Sequence, residues 1–225
     1  MISVGVDLGQ QQDPTAIVAV ESYRPDQTPE EWKQRLHPDR RHRVRHIERL
    51  PIGTDYGQVV QRIAVVAGQA QTIGSATIVL DATGVGRPVV DMLKRQTSVS
   101  IRAVVWTSGE HETQPSYDVH RVPKRDLVTS LEVVLQARRI EFTPDCRLLE
   151  DMRAELQAYE FSIARNSGHL SFEGAAGSHD DLVSALMLAV WFGERPGLDD
   201  LWGAELAEYQ AQLAYPVAAP PLDRY

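Results

Sequence analysis

Three short stretches carry acids where chemistry is possible. Asp7 ends the β-rich run I-S-V-G-V, Asp81 ends the apolar run A-T-I-V-L, and Asp180-Asp181 open the long apolar segment L-V-S-A-L-M-L-A-V-W-F. In open α/β sheets, sites lie beyond the carboxyl ends of strands, where loops leave the sheet. A helix entering at that edge adds its first-turn acids to the same place. Carboxylates brought together repel unless cations stand between them. An all-oxygen donor set selects hard ions such as Mg²⁺ or Mn²⁺. Two such ions suit phosphodiester cleavage, with neither a histidine base nor a cysteine nucleophile required. The same acids also suit a plain helix start, with Ser178 as cap and Asp181 three residues on. Asp81 alone also suits a turn.

The elements that must position these residues follow from periodicity. Residues 2–6 and 15–21 read as an antiparallel hairpin around the Asp13-Pro14 turn, and 43–50 alternates as a third strand. A polar, Pro- and Arg-rich insertion at 23–42 separates the last two. Helical spacing covers Tyr56–Thr72, 76–80 is a buried strand, and Pro88 starts a helix to about 96. Then come a strand at 101–106, a polar loop at 107–121, a helix over Pro123–Arg138 and a short strand at 140–142. A helix over Arg147–Tyr159 follows, then a hairpin at 161–172 bent at Asn-Ser-Gly, and the last long helix. Antiparallel strands followed by β-α alternation make an α/β domain with a mixed central sheet and helices on both faces. Its expected extent is residues 1–196, with 197–225 an acidic, partly helical tail.

The totals exclude several classes. A net charge of −8 argues against coating nucleic acid by bulk electrostatics, although a local basic face remains compatible. Cys146 is the single cysteine, so intrachain disulfides and cysteine-rich zinc sites are out. No apolar run reaches the ~18 residues of a membrane span. From Lys33 to Arg49 the chain holds seven Lys/Arg against Asp39 and Glu48, a local net charge of +5. Arg40, Arg41, Arg43 and Arg45 within that run, with Arg87, Lys124 and Arg125 beyond it, are candidate contacts to a phosphate backbone. A solvated surface strand is the plain alternative.

Taken in order, V-G-V-D-L-G-Q-Q-Q-D-P-T-A, V-L-D-A-T-G-V-G-R-P-V-V-D-M-L and H-D-D-L-V-S-A-L-M-L-A resemble the nuclease domain of tailed-phage terminase large subunits. The helix R-V-P-K-R-D-L-V-T-S-L is similar to that family as well. The resemblance spans roughly residues 2–193. It implies an RNase H-like fold and a two-metal endonuclease that cuts concatemeric double-stranded DNA during genome packaging in the host cytoplasm. It implies metal ligation by Asp7, Asp81 and one or both of Asp180 and Asp181, with Asp7, Asp81 and Asp181 the catalytic set and Mg²⁺ or Mn²⁺ as the ions. His179, Ser184, Thr83 and Gly84 are expected around them, and Ser184 stands where the family usually has an acid. Double-stranded DNA is the expected partner, with the portal protein and the small terminase subunit reached through a full-length protein. The ATPase motif G-x-x-x-x-G-K-[ST] is absent from these residues. Alternatives on a related core are a RuvC-type Holliday-junction resolvase, a non-catalytic docking module and an actin-like nucleotide-binding protein.

Overall fold

The structure, a computed structural model, describes residues 1–9, 13–26, 39–84, 86–165 and 180–195. In chain order the strands are β1 (Ile2–Asp7), β2 (Ala16–Tyr23), β3 (Arg41–Arg49), β4 (Ala76–Asp81), β5 (Ser100–Thr107), β6 (Thr113–Ser116), β7 (Val119–Pro123) and β8 (Ile140–Phe142). The helices are α1 (Tyr56–Ile73), α2 (Gly86–Gln96), α3 (Lys124–Gln136), α4 (Leu149–Arg165) and α5 (Asp181–Glu194). The strands form one sheet in the order β6-β7-β5-β4-β1-β2-β3-β8. β1 pairs antiparallel with β2, and β2 with β3, whereas β1-β4, β4-β5, β5-β7 and β3-β8 are parallel. The sheet is therefore mixed, with antiparallel and parallel pairs, as the order of elements predicts.

Period-two alternation divides the sheet between two cores. Ile2, Val4 and Val6 of β1 with Ile78 and Leu80 of β4 pack under α1 and α2. Val18 and Val20 of β2, Val44 and Ile47 of β3 and Val79 of β4 pack under α3, α4 and α5. Helices therefore cover both faces. Asp55 caps α1, its carboxylate accepting the Gln58 amide at 3.0 Å. α5 is apolar all round and buried from Asp181 to Trp191, as a helix enclosed by sheet on one side and helices on the other should be.

α5 lies unusually close to β1. A Cβ on Gly5 would stand 1.9 Å from the Ala185 carbonyl oxygen and 2.9 Å from the Ala189 nitrogen. At the other end of α5, Gly193 lies against the Ser22 hydroxyl. There Glu194 joins a buried polar group: His42 bonds Ser22 Oγ through Nδ1 at 3.0 Å and Glu194 through Nε2 at 2.8 Å, while Arg139 donates to both Glu194 oxygens. Burial alone would raise the Glu194 pKa; His42 and Arg139 override it and bring it down to about 2.

Two expectations need correction. Residues 107–121 are not a plain loop, since they hold β6 and β7, which form an antiparallel hairpin. β6 is exposed at every residue, so hydropathy gives no sign of it. A strand beginning at Phe161 is also wrong, because α4 runs on to Arg165. F-S-I-A alternates at period two yet continues a helix equally well, and the turn signal behind it misled the reading. The rest of that hairpin, most of the 23–42 insertion and residues 197–225 lie outside the described residues. Among the described residues, no helix is long and apolar enough to cross a membrane.

Gly5→Ala is expected to cost about 3 kcal/mol or more, because the added methyl meets backbone that cannot rotate away; urea unfolding monitored by circular dichroism reads this directly. Glu194→Gln tests the far end of α5. The folded pKa is depressed from 4.5 to about 2, so the stabilisation is complete above 4.5 and fades as pH falls through 2. After allowing for partial exposure, the substitution should cost about 2 kcal/mol at pH 7, with parent and variant converging in acid.

Candidate active site at the carboxylate edge

The alternation that buries Ile2, Val4 and Val6 under α1 and α2 turns Ser3, Gly5 and Asp7 toward α5. On β4, Ile78 and Leu80 face α1 and α2, so Val79 and Asp81 face α5. The two strands run parallel with Val6 opposite Leu80, which sets Asp7 beside Asp81 on neighbouring strands ~4.8 Å apart. α5 passes Gly5 at Ala185 and Ala189 and reaches Ser22 only at Gly193, so it runs antiparallel to β1. Its first residue, Asp181, thereby comes to the edge where β1 and β4 end. Three elements deliver three acids to one corner.

These acids feel one another. The Asp7 carboxyl is raised well above its usual value, first by burial and then by Asp81, Asp181 and Asp180, with Lys124 pulling the other way. Burial also raises Asp81, opposed by hydrogen bonds from Thr83 and by the Lys124 charge. The Thr83 amide donates to Asp81 Oδ1 at 2.8 Å, and Thr83 Oγ1 accepts the Trp106 amide at 2.9 Å. Thr83 thus ties the loop after β4 to β5. Gly84 follows at φ 82°, a conformation that glycine takes without strain. The Lys124 ammonium stands 5.0 Å from the centre of the Trp106 ring.

The start of α5 is built by residues that lie far away in the chain. Asp180 supplies the first helical carbonyl, accepting the Ser184 amide at 2.8 Å. The next amides, of Leu182 and Val183, donate to Glu155 Oε2 of α4 at 3.0 and 3.3 Å. Arg49, the last residue of β3, donates to Glu155 Oε1, and its Nε lies 3.7 Å from Asp181 Oδ2. Glu155 and Asp181 are 9% and 7% exposed, so both carboxylates work largely out of water. Ser184, with 2% exposure, is enclosed within α5. The expected cap, Ser178, and the expected neighbour, His179, lie outside the described residues.

Glu155 and Arg49 were not among the expected site residues. The signal for Glu155 was its position: it falls between Met152 and Tyr159 on the buried stripe of α4, where a lone carboxylate calls for partners.

The basic candidates are placed differently. Asp7 pairs with Ala16 and Ala16 with Arg49, whereas Arg43 stands opposite Glu21, which pairs with Ile2. Arg43 and Arg45 therefore lie toward the other end of the strands, roughly 16 and 12 Å away. They also lie on the face opposite α5, in ion pairs with Glu21 and Glu141. Arg40 donates to the Gly193 carbonyl at 2.6 Å, and Arg41 is exposed at the start of β3. Arg125 reaches the Glu110 carbonyl at 2.6 Å. The side chain of Arg87 lies outside the described residues. Among the described candidate cations, Lys124 is the one whose charge reaches Asp7 and Asp81.

Asp7, Asp81 and Asp181, with Asp180 beside them, are the residues available to a metal. Their oxygen-only chemistry and mutual repulsion fit a hard cation. Among the described residues, however, no three His, Cys, Asp or Glu side chains are gathered tightly enough to form a ready-made ligand cage. The acids share an electrostatic neighbourhood rather than a closed coordination shell.

No protein-family model matches the chain, and no curated protein matches it. Its structural neighbours include viral terminase nuclease domains. The manganese-soaked, inhibitor-bound nuclease domain of human cytomegalovirus terminase aligns over 84% of this chain and 81% of its own, at 11% identity and a TM-score of 0.48. The manganese-soaked domain without inhibitor aligns over 84% and 82%, at 11% identity and a TM-score of 0.47. A further structure of that domain gives 8% identity and a TM-score of 0.45 over the same shares.

The raised Asp7 pKa has a consequence for stability. The folded state holds the Asp7 proton more tightly than the unfolded chain, so stability falls as pH rises from the ordinary value of 3.8 through the raised one. In metal-free buffer Asp7→Asn should melt a few degrees higher than the parent at pH 7. The difference should vanish below about pH 3.5, where both states of the parent are protonated; thermal melts across pH check both halves.

Proposed function

We propose that the chain is a metal-dependent endodeoxyribonuclease, the nuclease part of a phage terminase large subunit that cuts concatemeric double-stranded DNA during packaging in the host cytoplasm. The observation that supports this reading is the convergence of Asp7, Asp81 and Asp181, from two strands and a helix, on one corner where burial and then the neighbouring charges raise the proton affinity of Asp7. A corner so charged favours divalent cations, and its all-oxygen donors favour Mg²⁺ or Mn²⁺. Asp7, Asp81 and Asp181 would hold two such ions, with Asp180 assisting. Ions of this class, when bound, supply an activated water and charge stabilisation at the leaving oxygen of a phosphodiester.

The chain's own residues do the positioning. β1 and β4 hold two carboxylates on adjacent strands, and Thr83 orients Asp81 through its amide. α5 carries the third acid on a buried body that cannot slide, because Gly5 admits it at backbone contact. Lys124 places a fixed positive charge beside the acids, where it can draw a backbone phosphate toward them. Sequence preference is expected to be low, since no element among the described residues is built to read base edges in a groove. Docking to a portal ring and a small subunit belongs to the same proposal, through residues of a full-length protein.

Supercoiled-plasmid nicking tests the reading. The parent should cut with Mn²⁺ or Mg²⁺ and stop in EDTA, and Asp81→Asn should lose roughly 100-fold or more, the scale of several kcal/mol of charge stabilisation. Equal, metal-independent cutting by parent and variant would rule the proposal out.

A further inference from the structure

We propose that Arg49 and Glu155 act together as a positioning clamp for Asp181, fixing its main chain from one side and its carboxylate from the other. The proposal rests on the reading of Asp181 as a metal ligand. Glu155 Oε2 holds the amides of Leu182 and Val183, the two residues after Asp181, so α4 determines where the first turn of α5 stands. Glu155 Oε1 accepts the Arg49 guanidinium, and the same guanidinium carries its Nε to 3.7 Å from Asp181 Oδ2. One rigid, planar cation therefore spans two buried carboxylates, a task for which an arginine fork is suited and a lysine is not.

Simple capping does not account for this arrangement. A local Ser, Asn or Asp would satisfy the same amides without burying a second carboxylate next to Asp181. Glu155 is instead placed where burial, and to a smaller extent Asp181, raises its pKa, and Arg49 with the two amides opposes them. What the more costly arrangement adds is the guanidinium, held by Glu155 at the oxygen of Asp181. β3, α4 and α5 each contribute one member, so the clamp couples the edge strand to the corner where β1 and β4 end. Removing Arg49 frees the Asp181 carboxylate to swing, and removing Glu155 also frees the first turn of α5 to fray.

Mn²⁺ binding to the full chain, read by loss of the free-ion electron paramagnetic resonance signal, tests this on the parent, Glu155→Ala, Arg49→Ala and Arg49→Lys. Measurements are made well below each melting temperature, with plasmid nicking in parallel. Loss of an outer partner of a ligand typically weakens metal binding ~10–100-fold. Glu155→Ala and Arg49→Ala should bind Mn²⁺ at least ~10-fold more weakly, Arg49→Lys should fall between them and the parent, and saturating Mn²⁺ should restore most of the nicking. Should Glu155→Ala fail to fold, Arg49→Ala decides, because it leaves the Glu155 cap on Leu182 and Val183 in place. Unchanged or tighter Mn²⁺ binding by folded Arg49→Ala, the result of merely deleting a positive charge near a cation site, overturns the clamp alone. A parent that neither binds Mn²⁺ nor cuts, or an Asp81→Asn variant that does both like the parent, overturns the metal reading and the clamp with it.

Discussion

The backbone contact between α5 and β1 at Gly5 sets the geometry on which the carboxylate edge depends. A helix resting on a sheet through side chains normally stands about 10 Å away and has freedom to shift as those side chains repack. Here the Ala185 carbonyl occupies the space of a missing Cβ, so the spacing is set by main chain against main chain. Small residues recur along that face, at Ala185, Ala189 and Gly193. A helix pinned in this way transmits its position faithfully to its ends, and Asp181 is at one of them.

The two ends of α5 then treat charge in opposite ways. Glu194 sits where the helix dipole disfavours an acid, yet His42 and Arg139 compensate it so fully that its pKa drops to about 2. Asp181 sits where the dipole favours an acid, but its charge acts on Glu155 and on Asp7, which Asp81 and Asp180 also influence. The cations that oppose them in the described corner are Arg49 and Lys124, and Arg49 is shared with Glu155.

Asp7 and Asp81 were legible as charges that end apolar runs, and the order of elements followed from hydropathy periods. What periodicity could not give was any relation that depends on tertiary register. The arginines of β3 show why. Simple alternation from Val44 would put Arg43, Arg45 and Arg49 on one face. A bulge opposite Ala19/Val20 makes Arg45 an extra residue and reverses the phase, so Val44 and Ile47 share a face and Arg49 joins them on the α5 side. A single inserted residue separates the arginines that pair with Glu21 and Glu141 from the one beside Asp181. Glu155 was hidden for a related reason: a buried acid on α4 is unfavourable until the amides of α5, 27 residues on, are brought to it.

The bulge also bears on how the acidic corner tolerates its own repulsion. Buried carboxylates are stabilised only by partners in good geometry, and a flexible cation on a loop would lose much of its gain to side-chain entropy. Arg49 is delivered on a strand, at the register where β3 meets β2 and β2 meets the end of β1. Its position is therefore fixed by the same ladder that fixes Asp7. Carboxylate, counter-charge and helix start are referred to one sheet, and a displacement of any strand shifts them together. That common reference lets a domain keep several acids within one electrostatic neighbourhood, because the frame that carries them is held by apolar packing and hydrogen bonds rather than by the acids themselves.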